Sequence, residues 1–239
     1  MPTKANGHLE TEVLQQAADA VEWLKQHGNQ AGRDGMTRYA IPSECAFGVA
    51  MRDIQSYAKQ LGRHHALALT LWETGWYEAR TLAAYVDEPT KVTARQVDQW
   101  CRDFDNWAIC DSVCFVLFDK TVHAWKKLEK LARAKPEFEK RAAFALLWGL
   151  SRHDKAATDA QFLAGLALIE REAVDDRNFV KKAVNMALRA IGKRNRALNR
   201  ASMSVSTRLA ESDNNTAQWV GRDALKELTS AKVLSRFKA

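Results

Sequence analysis

The sequence predicts an all-α protein, a solenoid of antiparallel helix pairs stacked side by side. Three observations predict it. Only four prolines and eleven glycines interrupt 239 residues, too few for a turn-dense β chain, and strong helix formers (Ala, Leu, Arg, Lys, Glu, Gln) dominate. Apolar residues recur at three- and four-residue spacing along most of the chain, with no period-2 run that reads as a strand. The breaks between periodic segments are short, which sets consecutive helices antiparallel.

Residues 9–27 give an amphipathic helix with Leu9, Val13, Leu14, Ala17, Val21 and Leu24 on one side, stopped by His27-Gly28. Residues 29–35 read as a polar, Gly-bearing loop, and Pro42 marks a helix boundary nearby. Helices follow over 51–61, closed by Gly62, then 65–72, then 77–86, stopped by Asp87-Glu88-Pro89, then 93–103, with Thr93 as N-cap. The series continues with 107–117, 121–134, 136–150, 157–169, 178–191, 195–209 and 216–229, and Pro136 suits a first turn. Helix pairs spaced by roughly 30–45 residues resemble degenerate HEAT-like repeats. The expected organisation is one domain over 1–239. Helix 9–27 leads into repeats from about 36, and the helices of 195–229 close the stack.

No apolar run approaches the ~20 residues that span a bilayer, and the first eight residues lack the apolar core of a secretory signal. A cytoplasmic, unprocessed protein is expected. Cys45, Cys101, Cys110 and Cys114 form no Cys-x-x-Cys pair. Taken with His123, the last three match no familiar zinc spacing, so buried reduced thiols are expected rather than a metal. Phosphate-loop, dinucleotide, zinc-protease and nucleophile-elbow motifs are absent, which argues against those enzyme classes.

The net charge of +7 is unevenly distributed. From Arg177 to Arg208 there are nine basic residues and no Asp or Glu, while elsewhere acids and bases nearly balance. A basic stretch of that length interleaved with apolar helix positions points to a polyanion. Lys182, Arg189 and Lys193, spaced seven and four apart, share a helical face and form the expected phosphate-contacting stripe. Arg194 and Arg196 are expected on the loop that follows.

The segment 105–118 carries the chemistry. Trp107 and Asp111 stand four apart, so an indole and a carboxylate lie on one face, one turn apart, ready to meet a cation together. The other tryptophans (Trp23, Trp72, Trp76, Trp100, Trp125, Trp148 and Trp219) are assigned to core and inter-repeat packing.

Several stretches resemble one family in the same order and spacing. Gly48-Val49, Leu71-Trp72-Glu73 and Glu78-Ala79-Arg80 are similar to the N-terminal half of bacterial DNA alkylation repair proteins, the HEAT-repeat alkylpurine glycosylases of the AlkD type. Asn106-Trp107-x-x-x-Asp111-Ser112-Val113 resembles the active-site segment, Lys140-Arg141-Ala142-Ala143 the next repeat, and residues 180–195 the late helix. The likeness spans about residues 36–200.

The resemblance implies a right-handed superhelical solenoid whose basic concave face grips duplex DNA. It implies hydrolysis of the N-glycosidic bond of cationic alkylpurines such as 3-methyladenine and 7-methylguanine, by a monomer without metal or cofactor. Asp111 then matches the essential carboxylate, Trp107 the aromatic against the deoxyribose, Arg141 a basic site residue and Tyr39 a further aromatic near the lesion. An alkylated purine is already a good leaving group, so the enzyme mainly stabilises positive charge on the sugar, as an ionised carboxylate and an indole face do. One position departs. Met186 stands where many members carry a second Trp, and methionine lacks the flat negative face that steadies a cation. Two alternatives therefore stay open: a non-catalytic DNA-binding relative that recognises unusual DNA structure, and a protein-binding HEAT scaffold.

Overall fold

Apart from two 3-10 turns, Phe118–Lys120 and Ser235–Phe237, every regular element among the described residues is an α-helix. The computed structural model describes the backbone of residues 4–237 and the side chains of residues 9–237. The outermost positions of the expected 1–239 domain lie outside the described residues, as does the start of the N-terminal segment read for a signal.

The helices are α1 (Lys4–His27), α2 (Gln30–Arg38), α3 (Met51–Leu61), α4 (His65–Glu73), α5 (Tyr77–Val86), α6 (Ala94–Arg102) and α7 (Trp107–Val116). They continue as α8 (Ala124–Ala132), α9 (Glu137–His153), α10 (Asp159–Glu172), α11 (Asn178–Ile191), α12 (Arg196–Ala210), α13 (Asn215–Leu228) and α14 (Ala231–Leu234). Helices α3, α5, α7, α9, α11 and α13 pack in succession, and α4, α8, α10 and α12 pack against members of that row. One continuous apolar cluster runs through the stack from Ala17 to Leu228. No described helix is long and apolar enough to cross a membrane.

Most expected boundaries hold within a few residues, for local reasons. Thr93 caps α6 by accepting from the Gln96 amide at 3.1 Å, and Gly62 ends α3 with φ of 71°, a conformation open to glycine. Pro136 sits one residue ahead of α9, at its N-cap. The expected helix 121–134 starts only at Ala124, because the chain first makes the turn Phe118–Lys120. On α1, Ala17, Ala20 and Leu24 are buried, but Leu9 and Leu14 remain exposed, so only the second half of its apolar side faces the core.

Residues 29–35 are not a loop. They belong to α2, which Asn29 caps by accepting from the Gly32 amide at 2.8 Å. Of the two glycines in this segment, Gly32 permits close packing: a Cβ there would lie 2.2 Å from the Gly48 carbonyl oxygen. Gly48 itself has φ of 83° and leaves no room for a side chain beside the Asn29 carbonyl. The buried carboxylate of Glu78 then accepts from three successive amides, Phe47 at 2.9 Å, Gly48 at 2.7 Å and Val49 at 3.3 Å. That nest fixes the segment on which α2 rests.

Six of the eight tryptophans pack as expected. Trp72 and Trp100 stack face to face at 3.9 Å in the core, Trp23 stacks on Tyr57 and Trp76 on Phe47. Trp125 meets Phe162 and Trp148 meets Phe115. Cys101, Cys110 and Cys114 are buried free thiols, whereas Cys45 is exposed.

Candidate nucleic-acid interface

The N-terminus of α7 places Trp107 and Asp111. Asn106 caps it by accepting from the Ala108 and Ile109 amides at 2.9 and 3.0 Å. Ile109, Cys110, Val113 and Cys114 form its buried face, which turns Trp107 and Asp111 the other way. Two thiol contacts set its register on α9: Cys110 Sγ donates to the Phe138 carbonyl and Cys114 Sγ to the Ala142 carbonyl, each at 3.6 Å. Between those contacts Asp111 meets Arg141. Arg141 Nε donates to Asp111 Oδ1 at 2.8 Å and Nη2 to Oδ2 at 2.6 Å, while Nη1 donates to the Phe179 carbonyl at 2.5 Å. This fork is the strong, geometrically specific form of ion pair.

Arg141 is only 5% exposed. Burial pushes the Asp111 carboxyl up from its ordinary value, and the Arg141 charge and hydrogen bonds pull it back in part. For Arg141, burial acts downward, but the Asp111 carboxylate outweighs it and holds the guanidinium above its ordinary range.

Tyr39 closes α2, is exposed, and its carbonyl accepts from Trp107 Nε1 at 2.8 Å. The next residue, Ala40, has φ of 54°, an uncommon backbone state for a residue with a side chain. The loop thus orients the indole, and the Arg141 guanidinium lies 6.0 Å from the Trp107 ring.

An open groove of about 720 Å³ brings Tyr39, Trp107, Asp111, Arg141, Lys182, Met186 and Arg189 together. Lys193 and Arg194 lie outside it, in an adjoining basic groove of about 520 Å³ that shares Met186 and Arg189 and adds Arg152, Lys155 and Arg236. Helix α11 stops at Ile191, so the predicted stripe Lys182, Arg189 and Lys193 is not one helical face. Lys193 and Arg194 sit in the turn beyond it, and Arg196 heads α12 rather than a loop.

The basic stretch is also less free than its sequence suggests. Arg189 Nη1 and Lys193 Nζ both reach Glu227 at 2.6 Å. Arg194 donates to the Ser151 and Asp154 carbonyls and lies 4.0 Å over the Phe162 ring, which makes it a brace between helices. Lys182 is exposed and has no ion pair among the described residues.

Sequence reasoning missed Trp219 and Asp223, which line the same groove from α13. Trp219 is 42% exposed and is not core packing. Its register follows from Asn185, which donates to the Val220 carbonyl at 3.2 Å. A signal was present: Trp219 and Asp223 stand four apart, as Trp107 and Asp111 do.

The stack defines a class, the all-α fold of HEAT-like helical repeats. A solved structure described as "a new family of proteins related to the HEAT-like repeat DNA glycosylases with affinity for branched DNA structures" superposes with a TM-score of 0.72. It covers 88% of this chain and 95% of that one at 18% identity, a likeness of fold. The family model for the DNA alkylation repair enzyme matches residues 20–228, and this chain belongs to that family. No curated protein matches it.

Proposed function

We propose that this protein excises cationic alkylpurines, such as 3-methyladenine and 7-methylguanine, from duplex DNA. One observation carries the reading: in a chain of the DNA alkylation repair enzyme family, a single groove gathers Tyr39, Trp107, Asp111 and Arg141 from three separate segments. The bond from C1′ to the purine nitrogen breaks, its electron pair neutralises the departing base, and water adds to C1′ with loss of one proton. Asp111 stabilises the positive charge that develops on the sugar, and each of its oxygens keeps a lone pair beyond the Arg141 bond with which to orient that water. The Trp107 face adds cation–π stabilisation. Arg141 holds the carboxylate in place. Lys182 contacts a phosphate in the groove, and Arg189 and Lys193, each held by Glu227, reach phosphate only through their remaining N–H donors.

The test is release of 7-methylguanine and 3-methyladenine from methylated duplex. Wild type releases them, and Asp111→Asn loses about 100-fold or more in rate, on the scale of removing one charge-stabilising group, while it still binds DNA. Folded wild type that releases neither base sinks the proposal.

A second reading has its own observation. Asp111 is already paired with a buried guanidinium, and position 186, which lines both grooves, carries a methionine and not an indole. A relative so built binds DNA without excision, in line with the branched-DNA affinity described for the structurally similar protein. Excision that appears only on Met186→Trp favours this reading.

A further inference from the structure

The adjoining basic groove holds a histidine, His153, that the excision chemistry does not use. His153 ends α9, its side chain is 36% exposed, and it lines that groove. Its Nδ1 bonds Asp119 Oδ2 at 2.5 Å, and the Asp119 side chain, in the turn Phe118–Lys120, is fully buried. Gly149 on α9 admits that carboxylate, since a Cβ there would lie 2.7 Å from Oδ2. Asp119 Oδ1 has no hydrogen-bond partner among the described residues. From α7, the Phe115 ring packs 4.3 Å from the imidazole. Nδ1 is therefore tied inward, and Nε2, which bonds nothing among the described residues, is left for the groove. We infer that His153 is a DNA-binding residue, an imidazolium whose Nε2 donates to a backbone phosphate in this groove while Asp119 secures Nδ1.

The surroundings select the ligand and couple it to a proton. A buried carboxylate with one oxygen unbonded is costly unless a cation compensates it, and protonated His153 is the cation in contact with Asp119. Burial pushes the Asp119 carboxyl up from its ordinary value, and the His153 hydrogen bond and charge, then Lys120, pull it back in part. On the groove side the balance is opposite. Arg152 and Lys155 flank His153 in the chain, and Arg189, Lys193 and Arg194 line the groove from α11 and its turn. Arg236 adds a cation from the turn Ser235–Phe237. All of these repel an imidazolium. The nearby acids are committed, Glu227 to Arg189 and Lys193, and Asp154 to Trp125 Nε1 and two amides. A phosphate among those cations offsets the repulsion, so DNA and a proton strengthen each other's binding. The inference rests on the reading that DNA crosses this groove and is independent of excision.

The experiment measures affinity for an unmodified duplex at about pH 6 and about pH 8, the range over which an imidazole changes charge, at one salt concentration. Calorimetry in buffers of different ionisation enthalpy reads the protons taken up on binding. Wild type binds about 5–10-fold tighter at the lower pH, the scale of one charge-assisted hydrogen bond, and takes up protons as it binds. His153→Gln loses both effects. His153→Lys, with a fixed charge, binds tightly at both pH values and takes up none. Both variants change a side chain at the groove surface, and the wild-type proton uptake is read without either. Equal wild-type affinity at the two pH values, no proton uptake, or a pH dependence that either variant retains overturns the inference. Base release from methylated duplex separates the two claims. Proton-linked binding that needs His153, without release, leaves this site standing and removes the glycosylase reading, and release by a protein whose binding ignores His153 does the reverse.

Discussion

The two ends of the groove use the same residue types in opposite ways. On α7 and α9, Asp111 and Arg141 bond each other by two contacts, with the guanidinium buried and also tied to the Phe179 carbonyl. On α13, Glu227 takes both Arg189 of α11 and Lys193 of the turn beyond it, so Asp223 is left half-exposed without a hydrogen bond. One end is rigid and fully compensated, and the other is solvent-screened and adjustable. The contrast shows that an indole and a carboxylate at i,i+4 spacing do not define a role. The cation that reaches the carboxylate does.

The sharpest way to break that contrast is to remove a cation from each end. Arg141→Ala leaves a carboxylate of low exposure unpaired and is expected to destabilise the fold by about 3–5 kcal/mol, because an uncompensated buried charge is expensive. Lys193→Ala, at a partly exposed pair, is expected to cost no more than about 1 kcal/mol. Urea denaturation of both variants checks the difference, and equal costs would show that the two ends are not distinct. Next in size, Glu78→Gln keeps the shape of the three-amide nest but removes its charge, and is expected to cost about 1–3 kcal/mol. Because that nest supports α2 and so Tyr39, the emission of Trp107 should change with it, which a Glu78→Gln, Trp107→Phe double variant can assign.

The pH dependence of excision sharpens the first end. Burial raises the Asp111 carboxyl above its ordinary value, about 3.9 for an unperturbed Asp. In the proposed reaction the ionised form stabilises the sugar cation, so excision is expected to fall as pH drops through a midpoint above that value. A single-turnover profile still flat at pH about 4 would contradict the raised value. The smallest effect belongs to the second end. Glu227→Gln frees Arg189 and Lys193 for phosphate and is expected to strengthen DNA binding by a few-fold, with a steeper salt dependence. Lys182→Ala weakens binding instead. Titration of unmodified duplex at two salt concentrations measures both.

How much of this was legible in the sequence varies with the range of the interaction. Helix 77–86 and helix 178–191 were readable to the residue, because periodicity and stop signals are local. Residues 29–35 were misread because glycine permits a turn and a close backbone contact alike, and only the approach of Gly48 to Gly32 selects the second. The Trp107 and Asp111 pair was visible as spacing. Trp219 and Asp223 had the same spacing and were passed over, since nothing in the sequence near 219 says which face of α13 meets the groove.

The sequence by itself determined most of the helices, their order, the family pattern and the +9 excess of Arg177 to Arg208, since composition, capping and periodicity act over a few residues. Only the tertiary structure decided where that charge is available. It brings Glu227 from α13 onto Arg189 and Lys193, turns Arg194 into a brace on the Ser151 and Asp154 carbonyls, and closes Arg141 on Asp111. Charge compensation depends on distance in space, and residues thirty or more apart in the chain become neighbours only when the stack has formed.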